Sequence, residues 1–506
     1  MTKPESSWST DKIFWVFLAA HISIWTLVPS LINESLPIDV IEGLAWGNEG
    51  QWGYHKHPPL SPWLMDVFAS MSASADWAQY LLAQVSVGIA FIAMWFLARN
   101  YVTPVKALIS VLLLEGVYYY GYASPEFNAN VVLLPVWALA MLAFYKSVKT
   151  GQLHWWVLLG IMAALGMLGK YFTAFLLLSM FGYLIFTRNG RRQFSHAGPY
   201  VTFVVMLAIL LPHMLWMVDS NFITLGYGVA RAGGTEDIGI GARLLYPVRF
   251  IGAQILLLLP PLLMLAAFGW KREASSKPST EDRNVLLFLT FGPVLLVVLL
   301  SVVMGWKLRS MWGVPLFLTS GLALVYFIRP VINPARYGKF KAVFLFFALI
   351  GPIAYIAVYA ARPALKDGGK RTQFPGEAAA LQISTMWTEK FPNTPMPYII
   401  GDVWRAGNIA YYWPETGSGK RAPSVFIDAD PVISPWVVPQ EIEKTGAIFV
   451  WYLPNAGKPQ NIRQTYYQEM YPALQLMPPL QLAWDSWFTD NRLELGWAIL
   501  APKGTQ

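Results

Sequence analysis

Long apolar runs separated by short polar segments dominate the first 360 residues of the chain. An α-helix of about 20 apolar residues is long enough to cross the hydrocarbon core of a bilayer. The pattern therefore predicts about eleven membrane-spanning helices. We expect them at residues 13–32, 79–99, 105–122, 130–147, 155–168, 171–187, 199–218, 246–268, 285–304, 311–328 and 341–360. The first run has no small-residue cleavage site, so we interpret it as a retained span rather than a signal peptide.

The hydrophobic pattern changes beyond residue 362, where proline, charged residues and short β-type runs take over. Four strands and two helices are predicted there, with the strands at 397–401, 424–428, 447–453 and 495–500 and the helices at 404–413 and 438–444. Strands that alternate with helices favour a small α/β domain with a largely parallel sheet. The predicted organisation is a transmembrane domain over 1–362, with a first external loop at 33–78, and an extracytoplasmic α/β domain over 363–506.

Composition supports a polytopic helical membrane protein. The chain has 506 residues, of which 55% are hydrophobic and only 13% are charged, whereas soluble proteins carry about 25% charged residues. There is no cysteine, which excludes disulfides, thiol catalysis and cysteine-ligated metals. The net charge of +8 could indicate nucleic-acid binding, but most cations lie in short loops where they set topology. We therefore predict no nucleic-acid partner.

Loop charges predict the sidedness of the chain. If the N-terminus is cytoplasmic, every alternate loop is basic, as the positive-inside rule requires. This parity places the C-terminal region outside. The cations of the predicted inside loops are Arg99, Lys106, Lys146, Lys149, Arg188, Arg191, Arg192, Lys271, Arg272, Lys277, Arg283, Arg329, Arg336, Lys339 and Lys341.

A second set of cations falls on the predicted outside, where the positive-inside rule does not explain them. An anionic ligand at the membrane surface, such as a lipid phosphate, would explain them. Lys170 lies in the break "GMLGKYF" between two short spans, and its alternative role is to extend to the lipid headgroups. The whole set is Lys56, Lys170, Arg231, Arg243, Arg249, Lys307 and Arg309.

Two carboxylates stand close together in the first external loop. In "LPIDVIEGLAW", Asp39 and Glu42 are three residues apart and share one face if the segment is helical. Their apolar neighbours would let this helix lie on the membrane. Carboxylates at the bilayer surface are candidates for a general base or for metal ligands. Alternatively, they stabilise the N-terminal end of the helix through its dipole.

The stretch "YHKHPPLSPWL" at 54–64 follows in the same loop. Its double proline stops a helix and holds the preceding residues extended. Tyr54, His55, Lys56 and His57 are therefore presented in a fixed geometry, and cations held in this way can bind a phosphate. A headgroup-anchoring loop is the alternative interpretation.

Two other external segments carry candidate chemistry. "YASPEFNANVVLLP" places Glu126, Asn128 and Asn130 at the outer mouth of a span. There they can cap a helix, or they can contact sugar hydroxyls or a metal. "GWKLRSMW" places Lys307 and Arg309 between tryptophans, which are common at membrane interfaces.

Taken in order, these elements resemble the GT-C-fold, polyprenyl-phosphate-sugar-dependent glycosyltransferases. That group includes the protein O-mannosyltransferase-like enzymes and the lipid A aminoarabinose transferases. The matching elements are Asp-x-x-Glu after the first span, the Lys/His-Pro-Pro-Leu element, "GMLGKY" and "KLRSMWGVPLFL". The resemblance covers residues 10 to 360. The aminoarabinose transferases have Glu-Lys before the prolines, whereas this chain has Lys56-His57.

The resemblance implies an inverting transfer from an undecaprenyl- or dolichyl-phosphate-linked sugar at an extracytoplasmic site. It also implies a bacterial inner-membrane protein with a periplasmic C-terminal domain. Asp39 would act as the base or orient the acceptor, with Glu42 beside it. The predicted lipid-phosphate ligands are His55, Lys56, His57, Lys170, Lys307 and Arg309. The predicted substrate contacts are Tyr54, Glu126, Asn128, Tyr171 and Arg231.

Cofactor and acceptor are less constrained by the sequence. A divalent metal ion at Asp39, Glu42 and Glu126 is compatible with the residue types, and no other cofactor is expected. The acceptor is an extracytoplasmic glycan, lipid or protein, with lipid A, lipopolysaccharide core, surface polysaccharide and protein all open.

Two other functions fit a membrane protein of this composition. A transporter or flippase of lipid-linked sugars should place ionisable residues near mid-span, whereas here most of them lie at the outer ends of spans. A noncatalytic envelope-assembly protein would use the C-terminal domain as a binding module.

Overall fold

The computed structural model describes residues 9–233, 239–269, 271–273, 279–365, 370–414, 416, 421–453, 462–484 and 491–503. Lys277 of the predicted cytoplasmic set lies outside these residues. The chain forms two compact units. The first comprises Met1–Thr26, Lys56–Leu60 and Ala83–Ile353, and the second comprises Leu27–His55, Ser61–Leu82 and Ala354–Gln506.

Helices occupy every predicted span. The α-helices up to residue 365 are α1 Thr10–Ile32, α2 Ile38–Gly47, α3 Leu60–Met71, α4 Asp76–Ala98, α5 Pro104–Leu112, α6 Leu133–Thr150, α7 Leu153–Gly169, α8 Thr173–Phe186, α9 Arg188–Gln193, α10 Gly198–Asp219, α11 Ile223–Arg231, α12 Ile240–Leu257, α13 Leu259–Ala266, α14 Thr280–Met304, α15 Ser320–Ile328, α16 Pro334–Ile356 and α17 Arg362–Leu365. Short 3₁₀ helices lie at Leu113–Gly116, Tyr118–Tyr120 and Ser310–Phe317, and a π-helical turn lies at Ala357–Ala361.

Six helices among the described residues are individually long and apolar enough to cross a membrane. A seventh span results if the 3₁₀ helix Ser310–Phe317 and α15, which are bent by 59° at their junction, count as one. The predicted spans at 155–168 and 171–187 correspond to the shorter apolar helices α7 and α8. The protein is an integral membrane protein that combines long regular spans with short and broken ones.

The predicted span at 105–122 shows how a break forms. α5 ends at Leu112, and the chain continues as the 3₁₀ helix Leu113–Gly116. A Cβ atom on Gly116 would lie 3.1 Å from the backbone nitrogen of Pro261, so the turn packs directly on α13. Pro261 and Met264 thus leave little room for a larger side chain at position 116.

A buried polar pair connects α1 to the same turn. The Nδ1 atom of His21 lies 2.6 Å from Oε2 of Glu115, and the two side chains are 0% and 7% exposed. The Nε2 atom of His21 is buried without a hydrogen-bond partner among the described residues. Polar groups in such surroundings depend on one another, because no water compensates the loss of either partner.

We expect Glu115→Leu to destabilise the fold by about 3 kcal/mol, because it leaves the buried His21 side chain without an acceptor. Unfolding of the purified chain in detergent, followed by helical circular dichroism, measures this change. The control is Asp11→Asn, which removes an exposed ion pair to Arg99 at 3.0 Å and should change stability by less than about 1 kcal/mol. Equal changes in both variants would contradict a structural role for the buried pair.

The second unit combines parts of the predicted first external loop with the C-terminal region. Its remaining helices are α18 Gly376–Lys390, α19 Val403–Tyr411, α20 Pro439–Thr445 and α21 Ile462–Met470, with a 3₁₀ turn at Arg371–Gln373. α19 packs on α2, since a Cβ atom on Gly407 would lie 2.7 Å from Cγ2 of Ile41. Ser35 Oγ donates a 2.6 Å hydrogen bond to the Phe374 carbonyl. The domain boundary predicted at residue 362 stays a prediction.

A six-stranded sheet forms the centre of this unit, with β1 Tyr398–Gly401, β2 Ser424–Ile427, β3 Ala447–Tyr452, β4 Gln475–Leu476, β5 Leu480–Trp484 and β6 Asn491–Leu500. The strand order is β2-β1-β3-β6-β4, and β5 also pairs with β6. Its core on one side contains Ile400, Phe426, Ile442, Phe449, Tyr467 and Ala498.

The prediction of a largely parallel sheet is wrong for the second half of the sheet. β2, β1 and β3 are parallel, whereas β6 pairs antiparallel with β3, β4 and β5. β4 has two residues and β5 follows Pro478 and Pro479, so neither gave a clear strand pattern. Without these two strands, the last strand looked like the continuation of a βαβ series.

Candidate functional site

The predicted site residues fall in both units. In the second unit, Asp39 is exposed in the first turn of α2, two residues after the N-cap residue Pro37. Glu42 lies one turn later on the same helix and is only 9% exposed. The predicted helix and the spacing of the two carboxylates are therefore present. An exposed and a buried carboxylate on one helical face can differ in basicity and in access to an acceptor.

Tyr54 is 1% exposed and closes the loop that follows α2. Its hydroxyl donates a 2.7 Å hydrogen bond to the Trp46 carbonyl and accepts one from the Gln51 amide at 3.2 Å. Its ring stacks on Trp46 with centroids 5.2 Å apart. Burial raises the pKa of Tyr54, so the hydroxyl stays protonated. Tyr54 thereby fixes the backbone that leads to His55, whose ring lies edge-on to Trp46.

The segment 51–59 is not helical, and α3 begins at Leu60, directly after the double proline. This confirms that the prolines hold the cationic stretch without a helix. Lys56 and His57 are half-buried and belong to the first unit, unlike the preceding His55. The His57 ring lies 6.3 Å from the ring of Tyr227 on α11.

Lys170 occupies the break between α7 and α8 in an extended conformation, with φ of −167°. Its Nζ donates a 2.5 Å hydrogen bond to Oδ1 of Asn130 and lies 5.9 Å from the ring centroid of Trp312. A Cβ atom on Gly166 would lie 2.5 Å from Cγ2 of Thr173, so the break closes tightly only with glycine there. The structure thus holds the Lys170 ammonium in a defined position.

The segment before α6 places three polar side chains in different surroundings. Oδ1 of Asn128 accepts hydrogen bonds from the backbone amides of Asn130 and Val131, at 2.8 and 3.3 Å. This is turn-forming chemistry of the kind expected of asparagine. Glu126 is half-buried and interacts electrostatically with Tyr118. Asn130 is the residue that holds Lys170, and the sequence gave no sign of this contact.

The segment from Gly305 to Ser310 follows α14, and Gly305 has a φ of +72°, which permits the chain to turn away from the helix. The Lys307 amide donates a 2.8 Å hydrogen bond to the Ala232 carbonyl, one residue beyond Arg231 at the end of α11. The Trp312 amide donates to the Arg309 carbonyl at 2.9 Å. Trp312 therefore contacts Lys170 through its ring and the Arg309 backbone through its amide.

Arg309 is half-buried, and its Nε atom is buried without a hydrogen-bond partner within the described ranges. Lys307 and Arg231 are exposed. A buried guanidinium N–H without an acceptor is costly unless a ligand supplies one. An anionic oxygen is the acceptor that suits a guanidinium best.

The hydroxyl of Tyr171 lies 2.9 Å from Nε2 of His213 and 3.0 Å from Sδ of Met217. His213 is buried in α10, one of the membrane-spanning helices. It was missed from the sequence, where the only signal was a single histidine within an apolar helix. Ionisable residues inside membrane segments are costly and often functional.

A divalent metal ion is predicted at Asp39, Glu42 and Glu126. Within the described parts of the chain, no group of three or more His, Asp or Glu side chains could hold a metal ion. Asp39 and Glu42 alone offer two carboxylates on α2. The metal dependence raised by these residue types stays a prediction.

The fold of the chain identifies its structural class. The chain has the GT-C fold, that of membrane glycosyltransferases that use lipid-linked sugars, and the resemblance seen in the sequence is confirmed. The family model "Dolichyl-phosphate-mannose-protein mannosyltransferase" matches residues 56–216. ArnT from Cupriavidus metallidurans, in a crystal structure bound to undecaprenyl phosphate, is similar with a TM-score of 0.62 and 16% identity, over 98% of this chain and 99% of ArnT. Its apo structure gives a TM-score of 0.52 and 14% identity, over 97% and 99% of the two chains.

Curated relatives from Rhizobium johnstonii are galacturonosyltransferases. The lipid A galacturonosyltransferase RgtD is 21% identical over 58% of this chain and 60% of its own length. The lipopolysaccharide core galacturonosyltransferase RgtA is 23% identical over 52% and 53%. The core enzyme RgtB is 22% identical over 88% of both chains. The match thus spans little more than half the length of RgtD and RgtA.

Proposed function

We propose that the chain is an inverting glycosyltransferase that moves a sugar from a polyprenyl-phosphate donor to an extracytoplasmic acceptor. The observation that carries the proposal is the fold shared over 98% of the chain with ArnT bound to undecaprenyl phosphate. The names of the curated relatives favour lipid A or lipopolysaccharide core as the acceptor. We further propose a bacterial inner-membrane location, with a cytoplasmic N-terminus and a periplasmic C-terminal region.

The cations of the first unit are assigned to the lipid phosphate. When the bond between sugar and phosphate breaks, the lipid phosphate gains negative charge, and cations fixed beside it stabilise the transition state more than the ground state. Lys170 is fixed by Asn130, and Arg309 carries a buried N–H that a phosphate oxygen would satisfy. The other phosphate ligands of the proposal are Lys56, His57 and Lys307 of the first unit and His55 of the second.

Asp39 is assigned as the general base that takes the proton from the acceptor hydroxyl or amine. The acceptor atom then forms a bond to the anomeric carbon on the face opposite the departing lipid phosphate. This single displacement inverts the configuration of the sugar carbon. Glu42 is the second carboxylate on the same helix and orients the acceptor. Contacts to sugar or acceptor are assigned to Glu126, Asn128, Tyr171 and Arg231. Tyr54, the other predicted substrate contact, acts through the loop that its buried side chain fixes.

Mass spectrometry of lipid A, lipopolysaccharide, glycans and glycoproteins from a deletion strain tests this function. We expect one glycan to lack a single sugar and to regain it when the wild-type gene is restored. Unaltered glycans and glycoproteins throughout would overturn the proposal. The alternative, a flippase, predicts that proteoliposomes containing the pure chain translocate a lipid-linked sugar without transferring it.

A further inference from the structure

A cavity of about 350 Å³ is lined entirely by residues of the second unit. Its walls come from α2, α3, α19 and the segment before β2. The side chains that give it chemical character are Asn48, Asp66, Ser70, Tyr411, Thr416 and Arg421. None of them was among the predicted site residues. Its volume falls in the range of about 300–1,000 Å³ that small-molecule sites occupy.

Close helix packing builds the walls of this cavity. A Cβ atom on Gly47 would lie 2.4 Å from the Pro62 carbonyl oxygen, so the end of α2 meets the start of α3 directly. Tyr411 donates a 2.7 Å hydrogen bond to the Ser74 carbonyl, and Asn48 donates one to the Ala422 carbonyl at 3.2 Å. These contacts hold α2, α3 and α19 in place around the cavity.

Asp66 and Arg421 bring opposite charges to the cavity. Asp66 is half-buried, and its carboxylate receives no hydrogen bond from the described residues. Burial raises the pKa of Asp66, while the positive charge of Arg421 opposes that shift. Arg421 also interacts electrostatically with Glu49, whose pKa is raised by burial. Carboxylates of this kind retain acceptor capacity for a ligand that brings its own donors.

The charges in and beside the cavity indicate which class of ligand it can bind. Arg421 opposes a metal cation, and the neighbouring carboxylates oppose a phosphate or another anion. A neutral polyhydroxyl compound suits the site better. A carboxylate, a guanidinium and an amide can each form hydrogen bonds to two adjacent hydroxyl groups at once. Leu44, Ala69 and Ala410 line the same cavity and suit the C–H face of a sugar ring.

We propose that this cavity binds a neutral saccharide segment of the acceptor glycan. The inference rests on the proposed glycosyl transfer and deepens it, because it assigns acceptor recognition to the second unit at a place apart from Asp39 and Glu42. The site holds the acceptor through a sugar that does not react. Binding energy from such remote contacts can be used to position the reacting group.

The test uses the full chain in lipid nanodiscs and two measurements. Saturation-transfer NMR detects binding of the methyl glycosides of glucose, galactose, mannose and N-acetylglucosamine. A transfer assay gives the KM for acceptor and kcat. We expect Asp66→Asn and Ser70→Trp to weaken glycoside binding at least about tenfold and to raise the acceptor KM similarly, with kcat at saturation unchanged. Binding of undecaprenyl phosphate should not change.

Two features of the design keep the result interpretable. Ser70 is exposed on α3, so Ser70→Trp fills the cavity without disturbing a buried core. The control is Glu469→Gln, an exposed carboxylate on α21 that should alter neither measurement.

Undiminished binding in Ser70→Trp, or no binding of any glycoside to the wild-type chain, would overturn the saccharide site. If the wild-type chain binds glycosides but transfers no sugar, the proposed enzymatic function fails while the cavity assignment stands.

Discussion

Replacing Arg309 with glutamine is expected to lower kcat by about 100-fold or more, the loss typical when one charge-stabilising donor is removed from an active site. The side chain is half-buried, and its Nε has no acceptor among the described residues. A bound phosphate oxygen would supply that acceptor, and its negative charge grows as the sugar leaves. The arginine then interacts more strongly with the transition state than with the bound donor. The loss should therefore fall on kcat more than on the KM for the donor.

Arg283→Gln is the matched control, because Arg283 is exposed in the first turn of α14, the helix whose other end leads to Arg309. Both variants lose one arginine from segments joined to the same helix, and only one of them should lose activity. Rates are measured with the purified chain, a polyprenyl-phosphate sugar and the acceptor identified from the deletion strain. Equal rates for the two variants would remove Arg309 from the phosphate site.

Helical spans and local geometry could be predicted from the sequence because they depend on neighbouring residues. The double proline at 58–59 was sufficient to predict a non-helical cationic stretch, and the spacing of Asp39 and Glu42 was sufficient to predict one helix. The break at Lys170 was predicted from "GMLGKYF", in which Gly166 and Gly169 precede the lysine. In each case the determining residues lie within a few positions of the feature.

Contacts between distant positions could not be predicted in this way. Lys170 is held by Asn130, which lies 40 residues earlier in the chain. Asp66 and Arg421 line one cavity although α3 and β2 are far apart in sequence. The sheet shows the same limit, since the antiparallel pairing of β6 depends on β3 and on two strands with weak local patterns. The period of the hydrophobic pattern indicates which face of a helix or strand is buried. It does not indicate which other element packs against that face.

The structure changes the role that the sequence suggested for Tyr54. From the sequence it stood among the substrate contacts, as a tyrosine beside three basic residues. In the structure its hydroxyl is already engaged by the Trp46 carbonyl and the Gln51 amide. Its buried ring and hydroxyl fix the loop, so its influence on a ligand passes through the position of the backbone before Lys56.

Asp39→Asn is expected to lower the rate of sugar transfer by about 100- to 10,000-fold, the range of general-base contributions. Asparagine keeps the size of the side chain and suits a helix start, but it cannot take a proton from the acceptor. The lost interaction with the helix dipole costs at most about 1 kcal/mol, so the variant should fold. Binding of undecaprenyl phosphate should be unchanged. An acceptor with a more acidic hydroxyl should narrow the gap to the wild type, because it needs less help from a base.

The control for this variant is Asp219→Asn, which removes an exposed carboxylate at the end of α10 and should leave transfer intact. Comparison with Glu42→Gln identifies which carboxylate of α2 is the base. Only the variant that lacks the base should show a loss of transfer rate that depends on the acidity of the acceptor hydroxyl. If Asp39→Asn transfers sugar at the wild-type rate, Asp39 has no catalytic part. If it slows transfer equally for acidic and ordinary acceptors, Asp39 orients the acceptor without moving its proton.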